Sequence, residues 1–324
     1  VAVHQHRTID KEKLMTILFA FPGQGSQSLG MGKAFAESFL EAREVFEEVD
    51  EALGQNLSAI IWGDDAEALT NTANAQPAIM AVSIAAVRVA AKQLNLRMAS
   101  GAFIAGHSLG EYSALCAAGA LSLADTARLL RVRGNAMQAA APKGFGAMAA
   151  VLGMPLEKLQ AILAASKDMS IANDNSPGQV VISGAAEALP ALTETLKAAG
   201  AKRVVPLNVS APFHSRFMEP AAGIMAEALN QTLVRTPTPA LIANVHAHAL
   251  TDPQAIRDGL VAQVCGTVRW RESLLYAVAH GVMQQVELGN GKVLAGLAKQ
   301  TIPDVRCFSI GSLEDLDAYS AMAL

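Results

Sequence analysis

The chain has 324 residues, with 25 Lys or Arg against 29 Asp or Glu and a formal charge of -4, so it lacks the basic footprint that nucleic-acid binding requires. Its mean hydropathy of +0.29 comes from abundant alanine rather than from a membrane span. The three cysteines, Cys116, Cys265 and Cys307, lie far apart without a CxxC spacing, which argues against a disulfide frame or a zinc site and fits a reducing cytoplasm.

Residues 1–13 are polar, lack the apolar core of a signal peptide, and are expected to be a disordered extension. Residues 14–21 read as a short buried strand that runs into Pro22-Gly23-Gln24-Gly25-Ser26-Gln27. Helical patterns follow over 34–53 and 76–93; the apolar stretch 77–91 is interrupted by Ser83 and Arg88 and is short for a membrane span. Residues 101–106 form a second apolar strand leading straight to Ser108, with helices expected at about 110–118 and 123–140. This alternation predicts an α/β fold with a mostly parallel sheet covered on both faces.

The middle of the chain changes character. Residues 146–152 read as strand, 155–166 as helix, 169–172 and 179–183 as strands around an Asn173-Asp174-Asn175-Ser176-Pro177-Gly178 turn, 185–199 as helix and 203–207 as strand. The order βαββαβ matches a ferredoxin-like subdomain. It is read as an insertion at residues 139–209, between the 14–138 and 210–324 parts of a large domain.

Gly106-His107-Ser108-Leu109-Gly110 fits G-x-S-x-G in the context that gives the motif meaning, a strand before and a helix after. The glycines let strand and helix approach closely. The serine hydroxyl then sits at a helix N-terminus, and the Leu109 N–H becomes an oxyanion donor. His107, inside the sharp turn, reads as structural. On the helix beginning near Ser122, Arg133 shares a face with Leu129, Leu130 and Met137. A permanent charge on an apolar face needs an anion: either an internal acid such as Glu111 or the carboxylate of a substrate. His246 and His248 alternate on a predicted strand, but no third metal ligand accompanies them. Cys116 reads as a small buried apolar residue.

Five motifs occur in order: Phe21-Pro22-Gly23-Gln24-Gly25-Ser26-Gln27, Gly106-His107-Ser108-Leu109-Gly110-Glu111-Tyr112, Asn175-Ser176-Pro177-Gly178-Gln179, Pro212-Phe213-His214 and Gly291-Lys292-Val293-Leu294. Together they closely resemble the malonyl-CoA:acyl carrier protein transacylase family of bacterial fatty acid synthesis, over about residues 16–310. Two departures stand out: Gly266-Thr267 where the family more usually has Asn-Pro, and Asn290 where it often has proline.

The resemblance implies an α/β-hydrolase-like large domain, a ferredoxin-like small subdomain and ping-pong transfer. By it, Ser108 carries the malonyl ester and His214 is general base and acid. The backbone N–H groups of Gln24 and Leu109 form the oxyanion hole. Arg133 grips the malonyl carboxylate, and the Gln263 carbonyl orients His214. Phe213 narrows the space at the α-carbon, favouring malonyl over methylmalonyl; Asn173 and Asn175 either line the cleft or shape a turn. No metal or redox cofactor is expected. The implied partners are a coenzyme A thioester and an acidic acyl carrier protein, met by basic residues such as Arg216, Lys292 and Lys299. No nucleic acid or membrane is expected to bind, and a cytoplasmic monomer is anticipated. Two rivals stand beside this reading: a serine esterase, and an inactive docking module that keeps the fold without the chemistry.

Overall fold

The computed structural model describes residues 16–209 and 211–322. The extension expected at residues 1–13 lies outside them, as do Leu14 and Met15 of the first predicted strand.

β1 (Ile17–Phe21) is buried along its whole length. Its side chains alternate between two cores: Ile17, Phe19 and Phe21 enter one cluster, Leu18 and Ala20 the other. That is the signature of a strand covered on both faces. The helix expected over 34–53 is two helices, Lys33–Ser38 and α1 (Leu40–Leu53), because Phe39 between them is extended at φ -131° and ψ 126°. α2 (Thr72–Leu94) starts four residues earlier than expected, where Asn71 caps it by accepting from Ala73 N at 3.0 Å. Its 23 residues are long and apolar enough to cross a bilayer, contrary to the shorter stretch read from sequence. They serve instead as a core helix, packed on α1 and on the helix that carries Arg133. β2 (Phe103–Gly106), α3 (Gly110–Ala117) and α4 (Leu123–Ala139) follow as anticipated, α4 capped by Ser122 Oγ, which accepts from Asp125 N at 3.0 Å.

The inserted unit contains β3 (Gly146–Leu152), α5 (Leu156–Leu163), β4 (Met169–Ser176), β5 (Gln179–Ala185), α6 (Leu189–Ala198) and β6 (Arg203–Pro206). Its sheet is antiparallel throughout, in the order β4-β5-β3-β6, which is the ferredoxin-like arrangement. Val151, Leu159, Ile182 and Leu196 give it a core of its own. The segment 173–176 is not a turn but the end of β4, bulged between Ile171 and Asn173 and again between Asp174 and Ser176. Only Pro177 and Gly178 turn. The polar residues stay extended and buried because the large domain satisfies them. Asp174 N donates to Val268 O at 2.9 Å, Val268 N donates to Ala172 O at 2.8 Å, and Ser176 Oγ donates to Gln300 Oε1 at 2.9 Å. Arg271 pairs with the Asp174 carboxylate at 2.8 Å.

The chain then supplies α7 (Glu219–Asn230), β7 (Ala240–Ile242), β8 (Ala249–Leu250), α8 (Pro253–Cys265), α9 (Trp270–Ala279), β9 (Gln284–Leu288), α10 (Val293–Thr301), β10 (Arg306–Ile310) and α11 (Leu313–Met322). The large sheet has the order β10-β9-β1-β2-β7-β8, parallel except for the antiparallel edge strand β8. β1 and β2 are central and end together, Phe21 beside Gly106, so the loops after both open at one edge of the sheet. Crevices outside the carboxyl ends of parallel strands are where such folds bind ligands.

Candidate active site

The turn between β2 and α3 is tight enough to exclude side chains. A Cβ on Gly106 would lie 1.9 Å from the Gly110 carbonyl carbon, and one on Gly110 would lie 2.3 Å from Phe21 O. Between them Ser108 is held at φ 53°, a left-handed conformation that costs a non-glycine residue roughly 1–3 kcal/mol. Asn244, just after β7, supports that strain: its Oδ1 accepts from Ser108 N at 2.8 Å and its Nδ2 donates to Gly106 O at 2.7 Å.

His214 stands opposite, also at a positive φ of 57° and only 4% exposed. Its Nδ1–H donates to the Gln263 carbonyl at 2.9 Å and is shared with the Gly266 carbonyl at 3.1 Å. With Nδ1 as donor, Nε2 carries the lone pair, and the Ser108 hydroxyl donates to it at 2.8 Å. Burial, reinforced by the nearby Arg133 charge, pushes the His214 pKa down to about 3, so the ring is a neutral base. Gly266, at the departure from the family's usual Asn-Pro, thus contributes the second carbonyl.

Arg133 reaches the same serine from α4. Its Nη2 donates to Ser108 Oγ at 3.2 Å and to Gln263 Oε1 at 2.7 Å, while Nη1 donates to Gln76 Oε1 at 2.8 Å. It is 1% exposed. The internal-acid alternative is not realised as a contact: Glu111 makes no ion pair with Arg133 among the described residues. Glu111 Oε2 instead accepts from Gln263 Nε2 at 2.8 Å and from Asn244 N at 3.3 Å. Burial raises the Glu111 pKa to about 7, against the pull of those donors and of Arg133. Gln263 does more than its backbone: its Nε2 also donates to Ser108 O at 2.9 Å, so one residue touches the serine, the histidine and the arginine.

A cavity of about 330 Å³ opens onto Ser108, His214 and Arg133 and is lined also by Gln24, Met137, Asn173 and Phe213. Leu109 lies beneath, 1% exposed, and is not part of the lining. Among the described residues, neither the Gln24 nor the Leu109 backbone N–H has an acceptor. Asn175 does not line the cavity; its Oδ1 accepts from His107 Nε2 at 2.8 Å, fixing the residue beside the serine. His107 packs on Trp270 and also lines the cavity beside Ser108. Arg216 and Lys292 are tied to Asp168 at 2.9 Å and to Asp315 at 2.7 Å, Lys299 is exposed, and none of the three lines the cavity. The His246 and His248 rings lie 5.4 Å apart and tilted at 43°, and no group of three metal-ligating side chains occurs among the described residues. Sequence reasoning passed over Gln76, Asn244 and the side chain of Gln263. Asn290, at the position where the family often has proline, donates from Nδ2 to Ser28 Oγ at 2.9 Å and steadies the loop that carries Gln24.

Fold and site together are those of an acyl transferase domain, and the family model of that description matches residues 18–314. A malonyl CoA-acyl carrier protein transacylase of Bacillus subtilis strain 168 is 42% identical over 305 residues, covering 93% of this chain and 95% of that protein. The crystal structure of an acyl-carrier-protein-S-malonyltransferase from Bartonella henselae matches with a TM-score of 0.91 and 51% identity, covering 95% of this chain and 99% of the other. A structure of a type II PKS acyl-carrier protein in complex with its malonyl-transacylase matches with a TM-score of 0.90 and 37% identity, over 94% and 99% of the two chains. The chain belongs to the acyl transferase family, among its malonyl CoA-acyl carrier protein transacylases.

Proposed function

We propose that this protein moves a malonyl group from malonyl-CoA to the phosphopantetheine thiol of an acyl carrier protein, through a malonyl ester on Ser108. The observation that carries the reading is the position of Ser108 Oγ, 2.8 Å from a neutral imidazole nitrogen and 3.2 Å from a buried guanidinium. A base and an anion receptor thus meet at one hydroxyl, in a cavity of acyl size.

In the first half-reaction Ser108 Oγ attacks the thioester carbonyl while His214 Nε2 takes its proton. The resulting imidazolium is stabilised by the Gln263 and Gly266 carbonyls at Nδ1, which take the place of the acidic third member of a serine triad. The N–H groups of Gln24 and Leu109, without an acceptor among the described residues, receive the oxyanion. The C–S bond breaks, coenzyme A leaves with the proton returned by His214, and malonyl-Ser108 remains. Arg133 holds the free carboxylate throughout. The carrier thiol then repeats the sequence in reverse, giving its proton to His214 as its sulfur attacks the ester, and His214 protonates the departing Ser108. Every step uses side chains and main chain of one polypeptide, so the scheme calls for neither a metal nor a redox cofactor, and a monomer suffices. Phe213 in the cavity wall supports a preference for malonyl over its α-methylated form. The three free cysteines fit a cytoplasmic location.

Intact-mass measurement after incubation with malonyl-CoA tests the proposal. One malonyl mass is expected on the protein, mapped to Ser108 and absent from Ser108→Ala. An adduct that persists in Ser108→Ala rules out the assignment. A faster reaction with neutral p-nitrophenyl esters than with malonyl-CoA favours an esterase instead.

A further inference from the structure

Arg133 is a permanent cation with 1% exposure, and a buried charge is ordinarily met by a countercharge. Here it forms no ion pair among the described residues. Its terminal nitrogens go to neutral oxygens, Gln76 Oε1 at 2.8 Å, Gln263 Oε1 at 2.7 Å and, more distantly, Ser108 Oγ at 3.2 Å, and its Nε has no hydrogen-bond partner there. The buried acid of the site, Glu111, is kept one amide away, bonded to the far side of Gln263. Gln76 is itself 1% exposed, and among the described residues its Nε2 finds only the Met137 sulfur, at 3.9 Å. Its amide nitrogen therefore does little, and a glutamate of the same shape would satisfy Arg133 more strongly in the free protein. The protein has an amide where stability alone would favour a carboxylate.

We propose that Gln76 and Gln263 are specificity-determining residues: a neutral amide clamp that fixes the guanidinium without neutralising it, so that the carboxylate of the incoming acyl group is the anion that completes the pair. The proposal rests on the reading of Arg133 as the carboxylate receptor. Two neutral acceptors set the plane and position of the fork, as bidentate recognition requires. A carboxylate in either place would form the ion pair in advance and would repel a second anion. A neutral acyl group leaves the guanidinium without its counterion, which discriminates against acetyl groups by the cost of an unmatched buried charge.

The experiment compares single-turnover acylation from malonyl-CoA and acetyl-CoA in the wild type, Gln76→Glu, Gln76→Met and Arg133→Ala, with thermal melts to check folding. Gln76→Glu keeps the hydrogen bond and adds only charge; the malonyl-to-acetyl rate ratio is expected to fall at least tenfold. Gln76→Met removes the acceptor without adding charge and is expected to lower the ratio less. An unchanged ratio in Gln76→Glu, or an equal fall in Gln76→Met, overturns the clamp. Should Gln76→Glu fail to fold, Gln76→Asp places the charge one methylene further from Nη1 and leaves Gln263 intact; a smaller fall in the ratio is expected, and an unchanged ratio again overturns the clamp. Arg133→Ala separates the two levels of the argument. A ratio that survives in Arg133→Ala removes the receptor role itself, whereas a ratio that collapses there but survives in Gln76→Glu removes only the clamp.

Discussion

Asn244 holds Ser108 by its main chain: Oδ1 accepts the Ser108 N–H at 2.8 Å while Nδ2 donates to Gly106 O at 2.7 Å, two residues upstream. The main chain leading into the left-handed serine is thereby held at two points. Asn244→Ala leaves a buried N–H and a buried C=O unpaired, at about 1–3 kcal/mol each. The expected outcome is a lower melting temperature together with an acylation rate reduced at least tenfold. Asn244→Asp keeps the acceptor but sets a lone pair against Gly106 O and a second acid beside Glu111, so it should not rescue. Wild-type rates in Asn244→Asp contradict this account.

Arg133 uses one terminal nitrogen for Gln76 and the other for both Gln263 and Ser108, a planar fork that an ammonium cannot copy. Arg133→Ala should lose malonyl transfer by at least a hundredfold, in line with ~3 kcal/mol or more for breaking a buried charged pair. Arg133→Lys should recover only a minor part of it. Steady-state transfer to a carrier protein, measured in all three proteins, checks both; full recovery by lysine shows that a point charge is enough.

Glu287, at the buried end of β9, accepts from Leu294 N at 3.2 Å and Ala295 N at 2.8 Å at the start of α10. Burial nevertheless raises its pKa from 4.5 to about 7. The folded protein therefore keeps a proton that the unfolded chain has released above about pH 4.5. The stability this group contributes is complete below that pH and is lost as pH rises through 7. Glu287→Gln cannot ionise, so it should gain on the wild type by on the order of 3 kcal/mol between pH 4.5 and 8. Denaturant unfolding of both proteins across that range measures the gap; a gap that does not move with pH refutes the prediction.

Two glycines should answer a methyl group in opposite ways. Gly106→Ala drives a Cβ to within 1.9 Å of Gly110 and should prevent folding or lower the melting temperature severely. Gly223→Ala, on the exposed face of α7 with nothing within 4 Å of the new Cβ, should stabilise by ~0.5–1 kcal/mol. Thermal melts of the pair decide it, and a harmless Gly106→Ala means the elbow is looser than its geometry implies.

The strand-serine-helix elbow was legible because its chemistry is local: five consecutive residues carry the steric demand. Arg133 was legible because helical period put a charge among Leu129, Leu130 and Met137. The βαββαβ order was legible from alternating patterns. Asn173 to Ser176 misled because Asn, Asp and Ser before Pro-Gly are turn chemistry, whereas their partners, Arg271, His107 and Gln300, lie 68 to 124 residues away in the chain. Gln76 looked like one more residue at the start of an apolar helix, and Asn244 belongs to no motif. A side chain whose role is fixed by a contact 57 or 136 residues distant leaves no periodicity to read. The motif resemblance recovered Gln263 as a backbone carbonyl and said nothing of its amide.

β4 has two duties along four residues. Asn173 forms part of the cavity wall, while Asp174 is clasped by Arg271 and Ser176 by Gln300 on the large domain. One wall of the cavity is consequently anchored where two folding units are riveted together, at residues that do not themselves line it. A lineage that retuned Arg271 or Gln300 would reset the bore of the chamber while its reactive trio stayed untouched, much as a vice changes its gap at the screw and not at the jaws.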